Sequence, residues 1–392
     1  MAVMTDRGPT RGTDGETEHV SRYLLLKLAQ RCNMACTYCY WFRDPSVYTK
    51  PTVLTDEAES WLLVRLREHV ERYDLDRFMI LFHGGEPMLI GKRRFGRLVA
   101  GLRALESELG FALKLAITTN GTLVDDEWAR IFRQYRIGVT LSIDGDREVH
   151  DARRIDHRGA GTYDRVVAAL GTLRAAGVEP GVLAVCDPAT DPGDLLHLFV
   201  EELNVGFDVL VPDANHADQP ASIAPYYTRL FDLWYDDYAD RKVRIRFLDS
   251  IVKGLLGHPS GSESIGYGPV TTTTMLTDGS LEPLDVLRTA RFNITKTELN
   301  VRSNALMDIQ TDPRWREILE ASLNLAPACQ KCPYFRACGG GHVASRWSAE
   351  RGFDNPSVYC EDFKKILGHC WDRMAPDLYV ETDREQIPLL QA

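Results

Sequence analysis

The chain has 392 residues, 44% hydrophobic and 26% charged, with a formal net charge of −10. That length accommodates two domains, or one barrel-sized domain with an appendage. No Lys/Arg block interrupts the acidic balance, which excludes a nucleic-acid partner from the expectations, and no apolar run reaches the ~18 residues of a membrane span. Residues 1–20, MAVMTDRGPTRGTDGETEHV, lack the apolar core of a secretion signal and read as a polar tail. The expected location is the cytoplasm, where thiols stay reduced. There, nine cysteines read as metal ligands sooner than as disulfides.

From residue 21 short apolar runs alternate with helical stretches. The runs are YLLLKLA (23–29), FMILFHG (78–84), LKLAITT (113–119), VTLSIDG (139–145), GVLAVCD (181–187) and FDVLVPD (207–213). Short, unbroken apolarity of this kind fits parallel strands buried on both faces. Helical patterns fall between them, at 55–73, 92–109, 125–135, 162–176 and 193–203. The first places Ala58, Leu62, Leu66 and Val70 near helical spacing. Such alternation predicts an α/β fold, either a partial (β/α)6 barrel or a doubly wound sheet. Past residue 213 it ends. YYTRLFDLWYDDY and RFLDSIVKGLLG read as helices, and TTTTMLTDGSLEPLDVL as a hairpin turning at Asp278-Gly279. PDANHADQPASIAP, rich in Pro, Asp and Ala, predicts a domain boundary near 215–225.

Directly after the first predicted strand comes CNMACTYCYWF, with Cys32, Cys36 and Cys39 inside one loop. Gaps this short let a loop wrap three thiolates around one metal centre at the carboxyl end of the sheet, where α/β active sites collect. A zinc knuckle would want a fourth Cys or His nearby, and none occurs between Cys39 and His69. The pattern therefore predicts an iron–sulfur cluster with three protein ligands and one open iron.

CxxxCxΦC, with an aromatic Φ, after the first strand of a β/α chain resembles the radical S-adenosylmethionine (SAM) superfamily. The resemblance implies a [4Fe–4S] cluster whose open iron binds SAM, and a 5′-deoxyadenosyl radical made by cleaving it. GGEP (84–87) looks like that family's SAM motif, with Gly84 and Gly85 admitting the methionyl amino group and Glu86 stiffening the turn. Thr119 and Asn120 in TTNG, and Ser142 and Asp144 in SIDG, end the next two strands, where they are expected to reach the ribose and carboxylate. Arg154 resembles the carboxylate-pairing arginine, and Tyr38 is expected against the adenine.

A second cluster, CQKCPYFRACGGGH, spaces Cys329, Cys332 and Cys338 as in the family's SPASM extension. Where that pattern continues with a fourth cysteine, this chain has His342, and a later cysteine is Cys360. The pattern also expects two cysteines around the preceding hairpin, and here Thr and Leu284 stand there. One auxiliary [4Fe–4S] cluster is therefore expected, on Cys329, Cys332, Cys338 and Cys360, with Cys370 the substitute for Cys360 and a four-thiolate zinc site the alternative. Cys186 reads as a core thiol. The implied organisation is a tail at 1–20, a radical SAM partial barrel at 21–220, a SPASM-like domain at 221–373 and a tail at 374–392.

CGGGHVASRWSAERGFDNPSVYCEDF (338–363) resembles the peptide-modifying branch that includes the cyclophane (triceptide) synthases, often called the FxsB type. That implies a ribosomal precursor peptide as substrate, an electron donor such as a flavodoxin or ferredoxin, and a bond from an aromatic ring carbon to a nearby β-carbon. A base must take the ring proton, and Asp213, His216 and Asp285 are the candidates at strand and hairpin ends. The competing readings are thioether, ether or epimerising chemistry, sulfatase-type formylglycine maturation, and a non-catalytic iron–sulfur sensor.

Overall fold

The computed structural model describes residues 20–378, together with a short strand pair at Thr10–Arg11 and Thr17–Glu18. All six apolar runs are strands: β1 Tyr23–Ala29, β2 Arg77–Gly84, β3 Ala112–Thr119, β4 Ile137–Ser142, β5 Gly181–Val185 and β6 Phe207–Leu210. Each pairs in parallel with the next. The last three end before their predicted limits, because the chain leaves the sheet to deliver polar residues above its carboxyl edge. In β1 the period of two sorts the side chains. Leu24, Leu26 and Leu28 join the main core with the helices, while Leu25 meets Met79, Leu81 and Ala116 on the inner face. Lys27 shares the inner parity with Leu25.

The helices α1 Asp56–Arg72, α2 Lys92–Leu109 and α3 Asp126–Gln134 cover the outer face. Thr55 and Asp125 cap α1 and α3 by accepting backbone N–H bonds, and Gly110, at φ +73°, ends α2. The next helix, α4 Arg147–Arg153, is not among the predicted ones, because REVHDAR carries too little apolar periodicity. It is capped by Asp146 and delivers Arg154 at its end. Then follow α5 Tyr163–Ala175 and α6 Pro192–Leu196, the latter continuing as a π-turn over His197–Glu202. No helix among the described residues is long and apolar enough to cross a membrane.

The later part of the chain adds α7 Ala224–Leu233, α8 Arg246–Leu255, α9 Pro313–Leu323, the short α10 Pro327–Gln330 and α11 Phe335–Cys338, and α12 Cys360–Leu378. The boundary expected near 215–225 is not a break in the sheet. The predicted hairpin, β7 Thr273–Met275 and β8 Leu281–Glu282, extends it: Leu24 pairs with Thr273 in parallel, and β8 returns antiparallel to β7. The sheet thus has eight strands in the order β8-β7-β1-β2-β3-β4-β5-β6. One apolar core runs from Leu24 to Met374. Helix α12 also passes residue 373, so the first residues assigned to the C-terminal tail are helical, and the remainder lies outside the described residues.

A buried ionic joint fastens this addition to the barrel. Arg288, 3% exposed, donates to Asp44 at 3.1 Å and to Glu282, and its guanidinium lies 4.8 Å over the Trp41 ring. Thr295 completes Glu282 at 2.7 Å. Removing one partner of such a buried pair leaves charges uncompensated. Arg288→Met should therefore lower stability by about 3–5 kcal/mol in denaturant unfolding, whereas a surface loss such as Arg67→Met should change it far less.

Candidate active site

The cysteine loop is clamped from two sides. Ala35 and Thr37 donate to the carbonyls of Ile155 and Arg153, at 2.8 and 2.9 Å. Gly85 and Glu86 donate to those of Ala29 and Arg31, both at 2.9 Å. The family resemblance assigns Gly84 and Gly85 to the cofactor's amino group. In the fold their lack of a side chain has a nearer cause. A Cβ on Gly84 would run into the Ala29 carbonyl oxygen, and one on Gly85 into that of Arg31, while Gly84 also sits at φ +146°.

Glu86 is fully buried and joins two strand ends. Its carboxylate accepts from Met88 N at 3.0 Å, Asn120 N at 2.9 Å and Thr119 Oγ1 at 2.8 Å. Burial nevertheless pushes its pKa up to about 7. Asn120 extends the network to Asn33 at 2.9 Å and to the Cys32 sulfur at 3.7 Å. Asp144, 2% exposed, accepts from Tyr38 Oη at 2.6 Å, Val185 N at 3.0 Å and Arg154, also at 3.0 Å. Burial opposes its ionisation, but Arg154 and Tyr38 hold its pKa below the ordinary carboxylate value. Arg154, expected on the SAM carboxylate, is thus already ion-paired within the chain. The ring of Tyr38, expected on adenine, is faced by Arg153 at 4.4 Å and Arg154 at 5.4 Å. Ser142 stands half-buried at the end of β4, opposite Leu183.

The three thiols share one electrostatic neighbourhood. Burial pushes Cys32 up to about 12, with Glu86 and the other two sulfurs adding to the shift. Cys36 and Cys39 are raised as well, burial again leading. Three thiolates this close repel one another unless a positive centre sits among them, so the set fits a metal cluster.

A second group lies on the inner face. Lys27, with no exposed surface, pairs with Asp285, stands 3.0 Å from His83 Nδ1 and lies 4.2 Å over Trp41. Tyr40 donates to Asp285 at 2.6 Å. Burial alone would raise the Asp285 carboxyl, but the ammonium and these hydrogen bonds hold it down to about 2. Asp213 is the reverse case. Although the residue is exposed to solvent, crowding of its carboxyl by protein, then the charge of Asp285, pushes it up to about 7. His216, the third candidate base, is turned away. Its backbone bonds to Trp347 O at 3.1 Å and its Nε2 lies 2.8 Å from Pro356 O, which draw it to the second cysteine site. Lys27, Tyr40 and His83 are not among the residues the sequence motifs single out. The available signal is a lysine inside YLLLKLA, since an unpaired charge does not survive in a buried strand.

Cys329, Cys332, Cys338 and Cys360 line one cavity of about 340 Å³, with His216 and Gly340 also in its wall. Among the described residues no three Cys, His, Asp or Glu close on a position for a single ion. Four thiols around one void are the donor set that a four-thiolate cluster needs. Cys370, on α12, and Cys186 are buried in the main core. Around the hairpin, Leu284 packs with Val270, Leu287, Val343 and Ala344, so apolar side chains fill that corner. His342 accepts from Ala344 N at 3.4 Å and so caps the turn Val343–Arg346.

Residues 26–190 match the Radical SAM superfamily. That stretch is a radical SAM match within a chain that is an enzyme. The cysteine-type anaerobic sulfatase-maturating enzyme of Clostridium perfringens (strain 13) is 25% identical, over 90% of this chain and 96% of its own length. The serine-type enzyme of Bacteroides thetaiotaomicron is 25% identical over 88% and 89%. Among solved structures, polyhistidine-tagged anSMEcpe with bound AdoMet matches with a TM-score of 0.79 and 25% identity, over 90% of this chain and 98% of that one. Streptococcus suis SuiB bound to the precursor peptide SuiA shares the fold, with a TM-score of 0.63 and 17% identity over 87% and 76%. The radical SAM match implies SAM and a [4Fe–4S] cluster as cofactors, and the similar anSMEcpe structure has bound AdoMet.

The clamp on the cysteine loop makes a test. Reconstituted wild type should hold about eight iron and eight sulfide per chain, and Gly85→Ala about four, since its methyl group displaces only the first loop. About twelve in the wild type would reveal a third cluster.

Proposed function

We propose that this enzyme matures a ribosomally made precursor peptide in the cytoplasm, joining an aromatic ring carbon to the β-carbon of a residue two positions on. The observation that carries the reading is the pairing of two unlike sulfur sites with a proton acceptor of suitable pKa. Cys32, Cys36 and Cys39 would hold the open cluster, and Cys329, Cys332, Cys338 and Cys360 the closed one. When bound, the first cluster with SAM supplies a 5′-deoxyadenosyl radical that takes a β-hydrogen, and the second supplies an acceptor for one electron. A flavodoxin- or ferredoxin-type donor provides the reducing electron. Ring attack by the β-carbon leaves one proton to remove, and Asp213, its pKa about 7, is the acceptor in this reading. Asp285 is held ionised by Lys27 and is too weak a base to compete. The stretch CGGGHVASRW…FDNPSVYC supports the crosslinking branch. So does the hairpin corner, which Leu284 and its neighbours fill where the SPASM pattern places thiols.

The second reading is formylglycine formation, favoured by the sulfatase-maturating relatives along most of the chain. Co-expression with the precursor peptide separates the two. Crosslinking should remove two hydrogens and abolish fragmentation within the bridged segment in tandem mass spectra. A hydrazide-reactive aldehyde would establish formylglycine instead. Cys329→Ala should retain SAM cleavage but lose the crosslinked product.

Asp213→Asn should slow product formation by about 10²–10⁴-fold while SAM cleavage continues. Because the base acts deprotonated, wild-type product formation should rise with pH through about 7 and then level. A flat pH profile, or full activity of Asp213→Asn, would assign the proton to another group.

A further inference from the structure

Behind the four-thiol cavity lies a cation that the reaction scheme does not use. Arg346 is 3% exposed, and its guanidinium donates only to neutral carbonyls: Ala321 at 2.8 Å, Gly339 at 3.0 Å and Gly341 at 3.1 Å. Among the described residues no carboxylate pairs with it, and its Nε has no hydrogen-bond partner. The other deeply buried guanidiniums differ, since Arg154 faces Asp144 and Arg288 faces both Asp44 and Glu282. A buried cation without a counter-charge is strongly disfavoured. The negative charge that does reach Arg346 comes from sulfur. Burial pulls its pKa down to about 10, against the opposing pull of Cys329 and Cys338 as thiolates.

The local backbone brings the guanidinium to the cavity wall. Gly339, Gly340 and Gly341 follow Cys338 in consecutive left-handed conformations, at φ +59°, +73° and +69°. Gly340 lines the cavity, and a Cβ on it would stand 3.2 Å from Cζ and Nε of Arg346. Only glycine lets the planar group lie this close, and the flanking carbonyls fix its orientation. A fixed positive charge near an iron–sulfur cluster favours the reduced, more negative state.

We infer that Arg346 is the counter-charge of the auxiliary cluster, a positioning residue that raises its reduction potential so that it accepts the electron released on product formation. The inference rests on the assignment of Cys329, Cys332, Cys338 and Cys360 to that cluster.

The test is a redox titration followed by electron paramagnetic resonance, in full-length chain carrying Cys32→Ala, Cys36→Ala and Cys39→Ala so that one cluster remains. The parent should bind about four iron. Zinc, or no metal, in the parent would overturn the cluster assignment itself and the inference with it. Arg346→Gln should keep its iron but lose at least tenfold in electron affinity, a fall of about 59 mV for a one-electron couple. Arg346→Lys keeps a charge while breaking the fork to Gly339 and Gly341, and should stay near the parent potential. An unchanged potential in Arg346→Gln at full iron content would reduce Arg346 to a staple of the glycine loop. Should Arg346→Gln lose its iron, Arg346→Lys decides: a parent-like potential supports the inference, and a tenfold loss of affinity there overturns it.

Discussion

The backbone contact between the Gly84-Gly85 turn and the loop that opens into Cys32 is the constraint on which the site depends. The N–H groups of Gly85 and Glu86, just past β2, reach the carbonyls of Ala29 and Arg31, and a Cβ on Gly84 or Gly85 would run into those same two oxygens. Glu86 then carries the same turn across to β3 through Thr119 and the Asn120 backbone. The three thiols are therefore set by the ends of three adjacent strands. Asp144 adds a fourth strand, joined through Tyr38 to the loop between Cys36 and Cys39. A short loop of polar and aromatic residues would otherwise have little reason to hold one shape.

Charge, buried and paired, attaches the later half of the chain to this rigid edge. Lys27 meets Asp285 across the inner face, and Arg288 bridges Asp44 to Glu282. Such pairs return little net stability against apolar packing of equal volume, yet a slipped register would leave bare charges. Here they set the position of the hairpin against β1. Trp41 lies between both cations, with Lys27 and Arg288 near its ring, so the segment just after Cys39 is part of the joint.

The same joint separates the duties of two neighbouring carboxylates. Lys27 and Tyr40 stabilise Asp285 as an anion, and the anion in turn raises Asp213. One acid is held as a fixed charge while the other titrates near neutral pH, from environment alone. At the far site, Arg346 plays towards sulfur the part that Lys27 plays towards Asp285.

The sequence by itself determined the class of the fold and gathered most of its cysteines into two sets. Buried parallel strands must be apolar throughout, so the six runs were legible as strands, and CNMACTYC stood out by its spacing alone. Local pattern also identified the hairpin, through Asp278-Gly279. Only the tertiary structure decided what that hairpin pairs with, because Leu24 and Thr273 are distant in sequence and no local signal encodes a parallel partner. It likewise separated Cys360 in the cavity wall from Cys370 in the core, two thiols on one helix. It turned His216 away from the barrel, gave Arg154 an internal partner, and placed Lys27 against Asp285. Each of those outcomes depends on what else is buried nearby. Burial and charge pairing are properties of the packed molecule, and a residue's type states only that some partner is required.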